Sequence, residues 1–300
     1  MKFFRKTEFI LYDTTNSSCP PIYPQAKMRM SPHSYSMNVL LKTPLAEFPI
    51  GNLPLHQHPF PTAWHRHPQA WISQADVLAL LASLQDTLVD QHGHYLAWKN
   101  LSPSENALIA TSSLRIIHPW DLLKANENYV GNITDNCIDG DIHSAAHIEG
   151  IVHIGKGTRI LPGVFIEGNA IIGENCKIGP NCYIRGATSI GDNCHIGQAV
   201  EVKNSIILSH SSIGHLSYVG DSVVGHKVNF GAGTITSNLR HDGKNHRSMV
   251  DGKLIDTGRR KFGAIVGDYV HTGINTCIYP GRKLFSLTTT RPGEIVDKDL

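Results

Sequence analysis

Arg185 and Lys203 lie 18 residues apart, and each directly follows a branched apolar residue, Ile184 and Val202. Two cations set at a repeat interval repel one another unless an anion lies between or near them. A phosphate group is the direct reading. A pair of solvated charges, eased by Glu167 in the same column and by Glu201, is the plain alternative. His215 comes 12 residues after Lys203, in the segment Gly214-His215-Leu216-Ser217-Tyr218-Val219-Gly220-Asp221. An imidazole titrates near pH 6.5 and can take a proton from an amine at neutral pH, although a structural histidine is the commoner case. Tyr218 and Asn229 follow, then the run Gly231-Ala232-Gly233-Thr234-Ile235-Thr236, whose glycines let the backbone approach a ligand closely. From Ser237 to Phe262, Arg240, Lys244, Arg247, Lys253, Arg259, Arg260 and Lys261 outnumber Asp242, Asp251 and Asp256. Such a loop fits a polyanionic cofactor, and a merely solvated loop is its rival.

Other chemistry-bearing residues carry less. His56, His58, His65 and His67 form two His-x-His pairs that could bind zinc, but they are interleaved with Pro54, Pro59, Pro61 and Pro68. A histidine-rich irregular loop is the favoured reading, and no metal site is expected. Cys176, Cys182 and Cys194 recur where a repeat needs small inward residues, so they read as core filler, and the placement of the six cysteines argues against a disulfide framework.

These residues are positioned by a repeat. Ile142, Ile148, Ile154, Ile160, Ile166, Ile172, Ile178, Ile184, Ile190, Ile196 and Val202 fall every sixth residue. Six is neither a helical period nor simple strand alternation, and it fits short strands joined by tight turns around a narrow core. Four places after each anchor stand small or β-branched residues, among them Val152, Thr158, Val164, Ala170 and Val200. The register then slips: Ile207, Ile213 and Val219 hold one phase, and Val224, Phe230 and Thr236 another. After an interruption, Val266, Thr272, Ile278 and Leu284 resume. Three hexads per turn make a three-sided β-solenoid, with residues 18 apart stacked about 4.8 Å from one another.

This pattern resembles the hexapeptide-repeat transferases, and the resemblance implies a left-handed parallel β-helix. The strings Val200-Glu201-Val202-Lys203, His215-Leu216-Ser217-Tyr218-Val219-Gly220-Asp221 and Val228-Asn229-Phe230-Gly231-Ala232-Gly233-Thr234-Ile235-Thr236-Ser237-Asn238 are similar to the acetyltransferase domain of the bifunctional family that makes UDP-N-acetylglucosamine. That resemblance implies His215 as general base toward a sugar amine and Arg185 and Lys203 as holders of the sugar phosphate. It implies Tyr218, Asn229 and Asn238 as contacts of the amino sugar, and backbone at Ala232 facing the acetyl thioester. It also implies acetyl-CoA as co-substrate, with Lys244, Arg259 and Arg260 the candidate cations for it, and a homotrimer. The chain departs from the family after Asn238, where Leu239-Arg240-His241-Asp242-Gly243-Lys244 replaces a shorter tyrosine-containing segment. Later, Gly258-Arg259-Arg260-Lys261-Phe262-Gly263-Ala264-Ile265-Val266-Gly267-Asp268 looks like the archaeal-type branch. Two rivals stand beside this reading. One is a non-catalytic sugar-phosphate-binding scaffold. The other is a γ-type carbonic anhydrase, for which His210 and His215 have a suitable spacing but lack a third histidine upstream.

Of the 27 glycines only Gly51 and Gly93 precede residue 131, whereas 12 of the 16 prolines lie in the first 119 residues. The expected architecture is therefore mainly β. A smaller N-terminal α/β domain occupies residues 1–117, a junction helix 118–130, and the β-helix 131–300 with an inserted loop at 237–262. Asp76 to Gln91 reads as a helix capped by Ser73, and a second helix begins at Pro119. The string His118-Pro119-Trp120-Asp121-Leu122-Leu123-Lys124-Ala125-Asn126 resembles the helix that joins a nucleotidyltransferase domain to its β-helix. The glycine-rich phosphate loop of such a domain is missing, so the first region reads as a shortened or divergent remnant without that activity. Net charge is +2, which gives no push toward nucleic acid or membrane, and a cytoplasmic protein is the default expectation.

Overall fold

The computed structural model describes residues 44–300. From Cys137–Ile138 to Ile295–Val296 the chain forms a three-sided parallel β-helix, the class expected from the hexads. Strands of successive coils pair in parallel and in register, with Ile160 beside Ile178, Ile184 beside Val202 and Ile172 beside Ile190. The three faces are sheets of six, eight and eight strands. The first face runs from Asp141–Ile142 to Asn229–Phe230, the second from His147–Glu149 to Ile295–Val296, and the third from Cys137–Ile138 to Arg282–Leu284. The anchors form one continuous buried column, joined by Cys176, Cys182 and Cys194 as core filler. Each such side chain contributes about 1.5–3 kcal/mol through burial. Cys137 departs from the thiol expectation, because it is disulfide-bonded.

The faces differ in what points outward. On the third face the outward residues Ile171, Ser189, Ile206, Val223 and Ile265 are buried, which marks a sheet covered on both sides. Helix α2, Asp121–Gly131, lies over them. Its Leu122, Leu123 and Ala125 share a core with Phe48, Ile50, Trp71, Ile206, Val223, Phe262 and Ile265. The helix begins at Asp121, two residues after the expected start at Pro119, and Asp121 turns its carboxylate back to accept from the backbone N–H groups of Ile117 (2.9 Å) and His118 (2.7 Å). The buried amide of Asn126 ties three parts together, accepting from Gly51 N (3.1 Å) and donating to the Ala187 carbonyl (3.0 Å).

Before α2 sits a small α/β unit. Its four-stranded sheet has the order His65–Arg66, Tyr95–Trp98, Thr87–Val89, Ala107–Ile109, beside helix α1, Gln74–Ala82. Ser73 caps α1 by accepting from Asp76 N, as expected. The helix does not reach Gln91, however. The Ser83 hydroxyl donates to the Leu80 carbonyl, Leu84 is 96% exposed, and Thr87-Leu88-Val89 enters the sheet fully buried. The leucine spacing over 77–88 mimicked a helical face, whereas β-branched Thr87 and Val89 were better placed in a strand. The inserted segment is likewise not a plain loop. Arg247–Val250 and Lys253–Asp256 pair as an antiparallel hairpin, and Val250 and Ile255 pack against the core under α2.

Of the His-x-His pairs, His58, His65 and His67 make contacts within the small unit or to α2. His58 is buried edge-on against Tyr129 of α2, with its Nε2 3.1 Å from the Leu53 carbonyl. His67 Nδ1 accepts from Gln69 N, and His65 stacks on Trp98. No group of three or more potential metal ligands occurs among the described residues. Burial pushes the His58 imidazole down to about 4, against its hydrogen bond to Leu53 and with help from nearby Arg66. A histidine depressed when folded stabilises fully above its unfolded value of about 6.5 and loses that contribution as pH falls toward 4. The melting temperature should therefore drop by about 5 °C or more over that window. A His58→Phe variant should show a flatter profile by calorimetry, and an unchanged slope would mean that His58 does not couple folding to protons.

Candidate functional site

The outward residues of the second face form two columns. One runs His147, Phe165, Tyr183, Glu201, Tyr218, and the other Glu149, Glu167, Arg185, Lys203, Gly220. Arg185 and Lys203 thus stack on successive coils. Each has a carboxylate partner. Arg185 Nε lies 2.7 Å from Glu201 Oε1 with both side chains about one-third exposed (34% and 32%), and its guanidinium stands over the Tyr183 ring. Lys203 Nζ lies 2.7 Å from Asp221 Oδ2, and that pair is far more buried, at 17% and 3%. The Tyr183 hydroxyl donates to Glu167.

Asn238 enters from the start of the insertion. Its Nδ2 donates to Tyr218 Oη (2.9 Å) and to Asp221 Oδ2 (2.5 Å). Gly220 lies beneath this contact, and a Cβ there would overlap the Tyr218 ring and its hydroxyl. Burial, then the charges of Asp221 and Glu201, push the Tyr218 phenol up, so it stays a neutral hydrogen-bonding group at neutral pH. Arg185, Lys203, Tyr218 and Asn238 are therefore one cluster, completed by Glu201 and Asp221.

His215 ends the strand Ser212–His215 on the first face, where the chain turns through exposed Leu216 to the second. The coils approach closely here, since a Cβ on Gly197 would overlap the Gly214 carbonyl. His215 is exposed and close to His195, whose imidazole is lowered by burial first and then by Lys177 and the neighbouring His215. One coil on, the same corner is the turn Gly231–Thr234. Gly233 N donates to the His215 carbonyl (3.2 Å), while the Thr234 hydroxyl closes the turn on the Gly231 carbonyl. The corner thus brings His215 and Ala232 onto neighbouring coils. The Ala232 carbonyl is taken by Asn275 N (2.8 Å). Asn229 stands exposed on the first face, in register with Ser212.

The basic residues of the insertion do not act together. Lys244 and Arg260 are exposed, the former beside the Arg240–Asp242 ion pair. Arg259, expected among the cofactor-binding cations, is withdrawn from that role. Its guanidinium grips Glu127 of α2 at 2.5 and 3.3 Å and is only 13% exposed. His210 and His215 stand on different corners of the prism, because His210 lies in the turn before the first face and His215 at the end of that face.

Asp221 is the site residue that the sequence reading passed over. It lies 18 residues after Lys203, but the structure pairs Lys203 with Gly220 and leaves Asp221 beyond them. Val202 to Ile207 and Val219 to Val224 are steps of five, not six, so stacking at this corner follows a 17-residue interval. The slip is visible in the anchors, and the 17-residue interval it sets brings Asp221 into line with Asn204 at the corner.

A three-sided parallel β-helix with a column of charged residues on one outer face is the class defined so far. Residues 166–284, all within the solenoid, match the family described as the GMPPB C-terminal domain. A bifunctional sugar-1-phosphate nucleotidylyltransferase/acetyltransferase of Sulfurisphaera tokodaii is 43% identical over 182 residues, which is 61% of this chain and 45% of that relative. A bifunctional protein GlmU of Methanococcus maripaludis is 51% identical over 183 residues, 61% of this chain and 44% of its own length. The chain thus spans about 45% of the length of the curated relatives it matches. Among solved structures, an N-acyltransferase, AntD of Bacillus cereus, complexed with dTDP and coenzyme A, aligns with a TM-score of 0.31 and 20% identity. That alignment covers 39% of this chain and 81% of that one. Among the described residues no helix is long and apolar enough to cross a membrane.

The two ion pairs should respond differently to truncation. Lys203→Ala leaves Asp221 buried without its cation and should cost about 1–3 kcal/mol in urea unfolding. Arg185→Ala, at a half-open pair, should cost about 0–1 kcal/mol. Equal costs would mean that burial does not separate them.

Proposed function

We propose that the protein is an acetyl-CoA-dependent N-acetyltransferase acting on a hexosamine 1-phosphate, with glucosamine 1-phosphate the first candidate. The observation that carries the proposal is the corner between the first and second faces, which sets His215 and the Gly231–Thr234 turn on adjacent coils beside the face bearing Arg185 and Lys203. The relatives named bifunctional sugar-1-phosphate nucleotidylyltransferase/acetyltransferase support the same reaction class. An acceptor phosphate would compete with Glu201 for Arg185 and join Lys203, while Tyr218, Asn229 and Asn238 orient the sugar.

The chemistry then needs an unprotonated amine. His215 takes a proton from the ammonium or from the attacking nitrogen, the N–C bond forms, the thioester C–S bond breaks, and the coenzyme leaves as its thiol after gaining a proton. Negative charge on the carbonyl oxygen is met by an N–H group at the Ala232 turn. Lys244 and Arg260 are the exposed cations proposed for the donor's phosphates.

The trimeric state and cytoplasmic location belong to the same proposal. Apolar side chains left open on the second face and at the corner, Leu216, Ile235, Ile274 and Ile295, give a subunit contact something to bury. We read residues 1–117 as a shortened nucleotidyltransferase-like region on the strength of the 118–126 string, and residues 1–43 lie outside the described residues.

Thiol release from acetyl-CoA should depend on added glucosamine 1-phosphate, with galactosamine 1-phosphate and a no-sugar control in parallel. His215→Ala should lower the rate by about 10²–10⁴-fold while acetyl-CoA binding persists. Full activity in that variant would remove His215 from the mechanism. Sugar-phosphate binding without turnover in the unmodified protein would favour the scaffold reading.

A further inference from the structure

The corner between the second and third faces is altered on three successive coils. On the first two it is one residue short, at Lys203-Asn204-Ser205 and Gly220-Asp221-Ser222, and on the third it opens into the 237–262 insertion. Asn204 and Asp221 hold equivalent places there, both in the left-handed region, with φ of 47° and 49°. Asparagine and aspartate tolerate that conformation better than most residues. The corner faces α2, and a chain of hydrogen bonds crosses it. Arg259 donates to Glu127, and Asn204 Nδ2 donates both to Glu127 Oε1 (2.7 Å) and to Asp221 Oδ1 (3.0 Å). Asp221 Oδ2 in turn receives Lys203 Nζ and Asn238 Nδ2, and Asn238 holds Tyr218.

We infer that Glu127 on α2, steadied by Arg259, is a positioning residue for the acceptor site, acting through Asn204 on Asp221 and thence on Lys203, Asn238 and Tyr218. The inference rests on the proposed function for the identity of the acceptor. Its physical content is that Lys203 and Asn238 share one buried oxygen. A lateral shift of that carboxylate therefore moves a cation and an amide together, and among the described residues Asn204 links the carboxylate to the helix. The link couples docking of the N-terminal region on the third face to the geometry of the acceptor site on the second. It also explains why a basic residue of the insertion is spent on α2 and not on a ligand.

The test compares the full chain with Glu127→Ala, Glu127→Gln, Asp221→Asn and the Glu127→Ala/Asp221→Asn double variant. It reads acceptor and donor KM, kcat, calorimetric binding of glucosamine 1-phosphate and the melting temperature. Glu127→Ala should raise acceptor KM and Kd about tenfold, the size of one charge-assisted hydrogen bond, with kcat and donor KM little changed. Glu127→Gln, which keeps an oxygen for Asn204, should recover most of that loss. The double variant should be no worse than Asp221→Asn alone, because both act on one path. Additive losses, or a loss shared equally by donor and acceptor, would overturn the inference and reduce Glu127 to a stabilising contact. Unchanged acceptor binding in Glu127→Ala would overturn it while leaving the proposed function intact. An unmodified chain that neither binds nor acetylates the amino-sugar phosphate would overturn both.

Discussion

Everything on the surface of this solenoid depends on parallel pairing between coils. Each outward side chain has its neighbour one coil away, as Arg185 has Lys203 and Glu201 has Tyr218. In a parallel sheet this relation is set by the backbone ladder and by the inward column. The column of isoleucines and valines is dry and close-packed, so a change of register there would move every outward residue with it. A charged ladder can exist on the second face because the inner column holds its strands still.

The outward positions then divide the prism by polarity. Branched apolar residues at 171, 206, 223 and 265 make the third face a second buried surface, and α2 with residues 48–55 closes it. Charged and aromatic residues at the corresponding places keep the second face open. The small α/β unit therefore docks on the side away from the Arg185–Lys203 ladder. The helix edge meets the corner that leads back to it.

That corner concentrates the departures from the repeat. Two shortened steps bring Asn204 and Asp221 into line, and the excursion that follows sends Asn238 back to Tyr218 and Arg259 across to Glu127. Inside a largely buried network each hydrogen bond is stronger than in water, and an unmade one is costly. The carboxylate of Asp221 is tolerable at its depth because a lysine and two amides answer it. Glu201 and Arg185, half-open to water, are held much less firmly and can exchange partners more readily.

Local chemistry made the fold legible: a six-residue period of branched side chains admits few structures, and glycine and proline usage marks where its rule begins. The same period placed Arg185 and Lys203 on one face, and the order of His215, Tyr218, Asn229 and Asn238 carried the family resemblance. Helix α1 ends at Ala82, short of the Gln91 that the spacing of Val77, Leu81, Leu84 and Leu88 predicts, because Leu88 belongs to the strand Thr87–Val89. Charge alone could not say where Arg259 points, since a guanidinium in a basic loop is equally suited to a phosphate or to a carboxylate. The partner is set by the 13% exposure left to it beside α2. The coil, its three faces and the columns of residues they carry could be read from the chain alone, because these follow from a periodic core. Which carboxylate answers which cation is settled by folding, because Glu127 lies 77 residues from Asn204 and 132 from Arg259. No local rule of spacing reaches that far.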